Sequence, residues 1–402
     1  MRIALLQHPW QLTFRGKWDW SDIYNDPRGM SGSELGFVEI GKQLAAMGHD
    51  VHMVTDSDSS PVQLGPNLNV FPWADLPGLG GTGKWFDLAI GINHAGGLEK
   101  FDCPRIMIQW LNSHEYLSRA EYESVDLFLS PSEAHRDYIF SGPKQLADGM
   151  HTEDDRDKWA VVPLGCTPEL YEGIEKVPGR VVYASSPDRG LHHLLQAWPS
   201  IKRRVPGAEL KIYYRILPWI EELKVVPEPF PPVEENRQRA LFIEDALRRL
   251  SDPKWGVEVV GPVSRNGIVK AMGEAECLAY PCDTLRWSEG FSVTTLEGLA
   301  AGARPVIWDC DALGQVYKGS GAAIIPRGDV ERFAEVVVST LEGPTTPEAK
   351  LAWKFEGEFA EKFVKEHTWR SVCNQLMKAV EPLNPTRYRE TERNSVASET
   401  SL

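Results

Sequence analysis

Glu289-Gly-Phe-Ser-Val-Thr-Thr-Leu-Glu297-Gly-Leu-Ala-Ala-Gly-Ala-Arg-Pro-Val306 reads as a loop, a helix, a turn and a new strand. Its first carboxylate sits in the loop. The second lies about one and a half turns into the helix, at ~1.5 Å rise per residue. The lead through Gly290, Phe291 and Ser292 into a helix N-terminus offers free backbone N–H groups and a positive dipole end, which suit a phosphate. A carboxylate lodged beside a phosphate would be repelled, so both glutamates are better placed to accept hydrogen bonds from hydroxyls. Ribose and sugar hydroxyls joined by a diphosphate satisfy the whole arrangement. On spacing alone, a capping carboxylate and a solvated helix face fit equally well; the surrounding segments decide.

Working outward, the alternation of apolar runs and helical patterns continues on both sides. Upstream are a strand at Val181–Ala184, a helix at Leu191–Val205, a strand at Leu210–Arg215, a helix at Asn236–Leu250 and a strand at Val257–Val260. A short helix at Ile268–Ala275 and a strand at Cys277–Tyr280 lead into the glutamate loop. Downstream come strands at Val306–Trp308 and Ala322–Ile325, a helix at Asp329–Leu341, and a helical stretch at Glu356–Val380 with a break at Trp369. The first part of the chain repeats the scheme. A strand at residues 2–7, a helix from Ser33 to Met47 stopped by Gly48, and a strand at Val51–Thr55 make a βαβ unit. That order implies a parallel sheet with a right-handed crossover. Strands at Leu88–Ile92, Ile106–Leu111 and Leu127–Leu129 extend it. Thr167 to Gly179, with Pro168, Gly173, Pro178 and Gly179, reads as an interdomain linker. The expected fold is α/β, two Rossmann-like domains facing across a cleft, with ligands beyond the carboxyl ends of the strands.

A chain of 402 residues has room for two cores, and 42% apolar with 25% charged residues is ordinary globular composition. A formal charge of −14 speaks against a nucleic-acid backbone as the main partner, which needs clustered Lys and Arg, although local basic patches are compatible with it. The apolar run at Met1–Leu6 is too short for a signal peptide, and no stretch approaches the ~20 apolar residues of a membrane span. The six cysteines lie in apolar segments with no zinc-ligand spacing, so they are expected as buried thiols in a reducing compartment. The expectation is a soluble, cytoplasmic protein without cofactor or metal.

The segment from Glu289 resembles the donor-site motif of retaining glycosyltransferases of two Rossmann-like domains, the GT-B architecture, and in particular glycosyltransferase family 4. The resemblance implies that Glu289 faces the transferred sugar and that Glu297 holds the ribose of a nucleotide-sugar donor. Arg189, in Tyr183-Ala-Ser-Ser-Pro-Asp-Arg-Gly190, resembles the family's basic residue with glycine at a strand end. A guanidinium there grips a diphosphate with its fork of donors. A turn rich in Ser, Pro, Asp and Gly is the plainer reading. The family commonly places a second basic residue near Tyr183; this chain has none there, and Ser185 and Ser186 can offer hydroxyl donors instead.

His114, in Gln109-Trp-Leu-Asn-Ser-His-Glu115, resembles the histidine the family points at the transferred sugar, and is favoured over His94, which also follows a strand. Gly29-Met-Ser-Gly32-Ser-Glu34 resembles a glycine loop at the first helix, where Gly32 would let backbone approach the ligand; a plain N-cap fits the same residues. Val162–Gly165, Val259–Val263 and Tyr280–Asp283 match the family in part. Trp10, Trp18 and Trp20 with Phe14, Arg15 and Lys17 make an aromatic–basic loop, suited to a sugar ring or to anchoring itself.

The resemblance spans about residues 2–382 and is most specific at 276–306. It implies a first domain at 1–167, a linker at 168–180, a donor-side domain at 181–360, a helix at 361–382 returning to the first domain, and a disordered tail at 383–402. The implied activity is metal-independent transfer of a sugar, a hexose above all, from a nucleoside diphosphate sugar to a hydroxyl acceptor with retention. A sugar-nucleotide epimerase of the same architecture and a non-catalytic nucleotide-sugar or glycan binder are the alternatives.

Overall fold

In the computed structural model the described residues are 1–9, 19–57, 61–80, 85–112, 117–141, 145–146, 149–150, 153–225 and 233–383. Two compact units divide them. The first comprises Met1–Ser21, Ser33–Leu164 and the chain from Trp369 onward, and the second Asp22–Gly32 and Gly165–Thr368.

β1 (Arg2–Gln7) is buried along nearly its whole length, with Ile3, Ala4 and Leu5 fully enclosed. A continuous apolar run without alternation is what a strand covered on both faces requires. Around it the first unit assembles β2 (Asp50–Thr55), β3 (Val62–Gly65), β4 (Leu68–Pro72), β5 (Leu88–Ile92), β6 (Arg105–Ile108) and β7 (Leu127–Ser130). A small hairpin, β8 (Gln145–Leu146) and β9 (Gly149–Met150), precedes β10 (Trp159–Val161). The eight-stranded order is β10-β7-β6-β5-β1-β2-β4-β3, parallel except for the antiparallel β3–β4 pair at one edge. That hairpin was not foreseen from the sequence. The helix Gly32–Ala46 makes the β1-to-β2 crossover, and the last helix, Trp369–Val380, belongs to this unit, with Cys373 Sγ 4.0 Å from Ile40 O.

The second unit has β11 (Arg180–Tyr183), β12 (Glu209–Ile212), β13 (Val257–Val259), β14 (Cys277–Tyr280), β15 (Arg304–Asp309) and β16 (Ala323–Pro326), ordered β13-β12-β11-β14-β15-β16 and parallel throughout. The chain winds outward from β11 to β13 and then returns to the other side of β11, so the strand order reverses between β11 and β14. Such a switch point opens a crevice at the carboxyl ends of the strands.

Three expectations need correction. β12 ends at Ile212 rather than at the expected Arg215, and a helix that was not expected, Ile216–Val225, follows; Pro218 lies in its first turn, where a missing N–H costs nothing. The late helix starts at Pro347 rather than Glu356, with Thr346 capping it and proline at its first position. The segment Asp22–Gly32, which includes most of the glycine loop, groups with the second unit rather than the first. Gly29 explains this: its φ is +74°, and an added Cβ would stand 2.6 Å from Val263 O, so only glycine lets this backbone lie on the Val263 segment. Asn266 Nδ2 also donates to Asn25 Oδ1 at 2.7 Å.

The expected linker contains a short 3-10 helix, Pro168–Tyr171, whose Tyr171 is buried. All six cysteines are unbridged; five are buried and Cys103 partly so. No helix among the described residues is long and apolar enough to cross a membrane. The loop residues Trp10, Phe14, Arg15, Lys17 and Trp18, the histidine His114 and the tail beyond 383 lie outside the described residues. Trp20 is described and is buried against Phe37.

Candidate functional site

The turn after β11 carries Arg189. Gly190 closes it at φ +95°, and an added Cβ there would lie 1.8 Å from Pro281 O, so the Arg189 turn and the loop after β14 come together only through a glycine. That loop carries Glu289. The result places Arg189 Nη1 3.7 Å from Glu289 Oε2 and within 2.5 Å of Ser288 Oγ, to which it donates, at the switch point of the sheet. Glu289 also accepts from Tyr280 OH at 3.0 Å. Its side chain is 14% exposed. Burial raises its carboxyl from 4.5 to about 7, against the pull of Arg189 and the Tyr280 hydrogen bond. Burial opposes the charge on Arg189 as well, but Glu289 and Asp188 more than restore it.

The backbone of Glu289 is fixed by Asp311, whose Oδ2 accepts from Ser288 N at 2.8 Å, Glu289 N at 2.9 Å and Thr284 Oγ1 at 2.8 Å. Asp311 itself has φ +52°, a left-handed conformation that a short polar side chain tolerates. Nothing in the sequence flagged it.

The helix behind the loop runs Val293–Ala300. Ser292 is its N-cap, accepting from Thr295 N at 3.2 Å, and Tyr317 OH donates to Ser292 O at 2.5 Å. Gly290 and Phe291 are buried, with the Phe291 ring 5.8 Å from that of Tyr317. Gly32 stands beside the first residue of this helix: an added Cβ would lie 3.5 Å from Val293 Cγ2. The Gly32 loop therefore meets the Glu297 helix within the second unit.

Glu297 sits in the second turn of this helix, and both it and its ion-pair partner, Arg265 Nη2, are 5% exposed. Arg265 comes from the helix Arg265–Glu274 and also reaches Tyr171 OH at 3.5 Å. Sequence reading missed Arg265; its position after the N-cap Ser264 gave no sign that it turns inward. Ser186 donates to Asp188, and Ser185 Oγ donates to Tyr280 OH at 3.5 Å, so both serine hydroxyls already have protein partners.

Behind the Arg189 turn a second cationic group is assembled. Arg239, from the helix Val233–Arg249, donates to Asp188 O and to Asp283 Oδ2, each at 2.7 Å. Arg327 Nε donates to Asp283 Oδ1 at 2.8 Å, and His193 Nε2 lies 3.0 Å from Oδ2. Burial alone would raise the Asp283 carboxyl, yet His193, Arg327 and Arg239 hold it well below the usual range. His192, His193 and Asp283 are spaced to hold a cation, with ligand atoms within 4.8 Å of one another. Two guanidinium groups already on that carboxylate oppose such an ion.

In the first unit, His94 follows β5 and stacks on His8, which follows the neighbouring β1, at 4.0 Å between ring centres. Burial and the partner ring bring His8 down to about 4, and burial lowers His94. Gly96 N donates to His94 Nδ1 at 2.8 Å.

Residues 233–343 match the family described as glycosyl transferases group 1. The chain carries a glycosyltransferase domain. No curated protein matches the sequence. Among solved structures, this glycosyltransferase resembles sucrose-phosphate synthase from Thermosynechococcus elongatus, at TM-score 0.64 and 13% identity over 95% of this chain and 99% of that one. It also resembles AviGT4, a glycosyltransferase involved in avilamycin A biosynthesis, at 0.63 and 15% over 96% and 98%. The Anabaena protein HepE, solved in complex with UDP, matches at 0.62 and 14% over 95% and 100%. At these identities the likeness establishes the fold, which is GT-B, and the matched segment holds both glutamates, Arg239, Arg265 and Asp311.

Proposed function

We propose that this glycosyltransferase moves a sugar, a hexose above all, from a nucleoside diphosphate sugar to a hydroxyl acceptor with retention and without a metal ion. The observation that carries the reading is Arg189 set 3.7 Å from Glu289 at the switch point of the second sheet, ahead of the helix that Ser292 caps. As the bond from the anomeric carbon to the phosphate oxygen breaks, its electron pair passes to that oxygen. Arg189 and the amides around Gly290–Ser292 meet the growing charge, where stabilisation speeds the reaction most. The acceptor hydroxyl attacks from the same face and its proton passes to the leaving phosphate. Glu289 holds sugar hydroxyls, and its raised carboxyl suits it to hydrogen bonding rather than to nucleophilic attack. Glu297 is assigned to the ribose, its charge compensated by Arg265; His114 is assigned to the transferred sugar, with His94 as its competitor.

The test is nucleotide release from UDP-, GDP- and ADP-sugars with and without a panel of alkyl glycoside acceptors, with the anomeric configuration of any product read by NMR. Release that depends on acceptor and gives the retained anomer supports the reading. Conversion of donor without acceptor identifies an epimerase, binding without turnover a non-catalytic binder, and an inverted product refutes retention.

A further inference from the structure

The helix Pro347–Glu366 turns an apolar row to solvent: Leu351, Phe355 and Phe359, spaced four residues apart, are 54%, 48% and 52% exposed. Residues at that spacing share one helix face. The opposite face is tied to its own unit. Arg304 pairs with Glu356 at 2.9 Å and lies over the Trp353 ring at 5.0 Å, Val364 is buried, and the Phe363 ring centre is 5.5 Å from that of Tyr317. The exposed row is therefore surplus to the fold of this unit.

We propose that this face pairs with the same helix of a second copy of the chain, antiparallel about a two-fold axis at Phe355. The sequence of the face is matched to that operation. Around Phe355, Leu351 is placed opposite Phe359 and Glu348 opposite Lys362, while Phe355 meets its own copy. Glu348, Phe355 and Lys362 recur every seven residues, the seam spacing of a two-helix contact. Glu348 and Lys362 are both exposed, and neither makes an ion pair among the described residues of its own chain. A two-fold contact needs such self-complementarity, because each residue meets its mate twice. With five glutamates and four lysines the helix is nearly neutral, and the chain carries a charge of −14, so the face offers little to an anionic membrane.

One helix face covers less than the ~800 Å² per partner of a standard interface, so the dimer is a weak one, with a dissociation constant on the order of 10 μM. Sedimentation velocity of the full chain from roughly 1 to 200 μM, a range bracketing that constant, is expected to show a monomer–dimer equilibrium. Phe355→Glu places like charges on the axis and leaves a monomer across the range, its fold checked by circular dichroism. Glu348→Lys weakens the dimer by roughly three- to tenfold, since two symmetric pairs become repulsive. Adding Lys362→Glu to it restores the wild-type constant. A wild-type chain that stays monomeric, a dimer that survives Phe355→Glu, or a Glu348→Lys effect that Lys362→Glu does not reverse overturns the proposal. So does dimerisation that appears only after residues 384–402 are deleted, which would make the tail the occupant, or a monomer that pelts down with phosphatidylglycerol vesicles through Phe355.

Discussion

At the residue scale the candidate site holds two carboxylates in different surroundings. Glu289 has a raised carboxyl. Below pH 4.5 its carboxyl is protonated whether the chain is folded or not; between 4.5 and about 7 the unfolded chain gives up the proton first, so stability falls as pH rises. Above about 7 both states are ionised and the loss is constant. At about 1.36 kcal/mol per pH unit, a rise from 4.5 to about 7 amounts to roughly 3–4 kcal/mol. Glu289→Gln removes the titration, so the variant should gain on the wild type between pH 5 and pH 8; urea melts at the two values measure this, and a difference that does not change with pH refutes it. Glu297 is buried together with its ion-pair partner Arg265. Arg265→Met should cost about 3–5 kcal/mol by stranding the carboxylate, and the double variant with Glu297→Gln should recover most of it. Additive losses in the cycle would show that the pair is not coupled. Glu289, Glu297 and Arg189 could be singled out as candidates because glycines and a helix start lie near them in sequence. Arg265 and Asp311 were not, because their partners lie 32 and 22 residues away along the chain, or more, and only the packing of strands and helices joins them.

At the scale of elements, the strands were read well wherever a run of buried apolar residues left no other choice, as in β1, β5 and β14. The misreadings fell where local signals were mixed. The Ile216–Val225 helix has a proline in its first turn and follows directly on a short strand, and the β3–β4 hairpin has a half-exposed edge strand with a weak pattern. The turn between β11 and its helix is the element on which the site depends most. Gly190→Ala would set a Cβ against Pro281 O in a conformation that side chains rarely adopt. The two backbones must then part, so the loss should exceed the ~1 kcal/mol of an ordinary Gly→Ala change at positive φ, and activity should fall with it. A thermal melt and a donor-turnover assay on the variant check both. Wild-type stability with wild-type turnover would mean that the turn shifts freely and does not set the Arg189–Glu289 distance.

At the scale of the whole molecule, two parallel sheets with the same kind of winding followed from the alternation of strand and helix patterns. The membership of Asp22–Gly32 in the second unit did not, because it depends on a backbone approach at Gly29 that no periodicity encodes. The arrangement of charge leads to the last prediction. The second unit gathers Arg189, Arg239 and Arg327 around the ends of β11 and β14, and two of these guanidinium groups already occupy the carboxylate of the one side-chain group, among the described residues, spaced to hold a cation. A divalent ion entering there would have to displace them, whereas a diphosphate would meet Arg189 and helix-terminal amides that are in place without it. Turnover should therefore persist in excess EDTA and change little on adding magnesium or manganese. Arg189→Ala should lower turnover more than folding stability, with Arg189→Lys recovering only part, since one point charge replaces a bidentate fork. Donor turnover measured with chelator, then with each ion restored, decides the first point; activity abolished by EDTA and regained only with a divalent ion would mean that a metal, and not Arg189, carries the diphosphate charge.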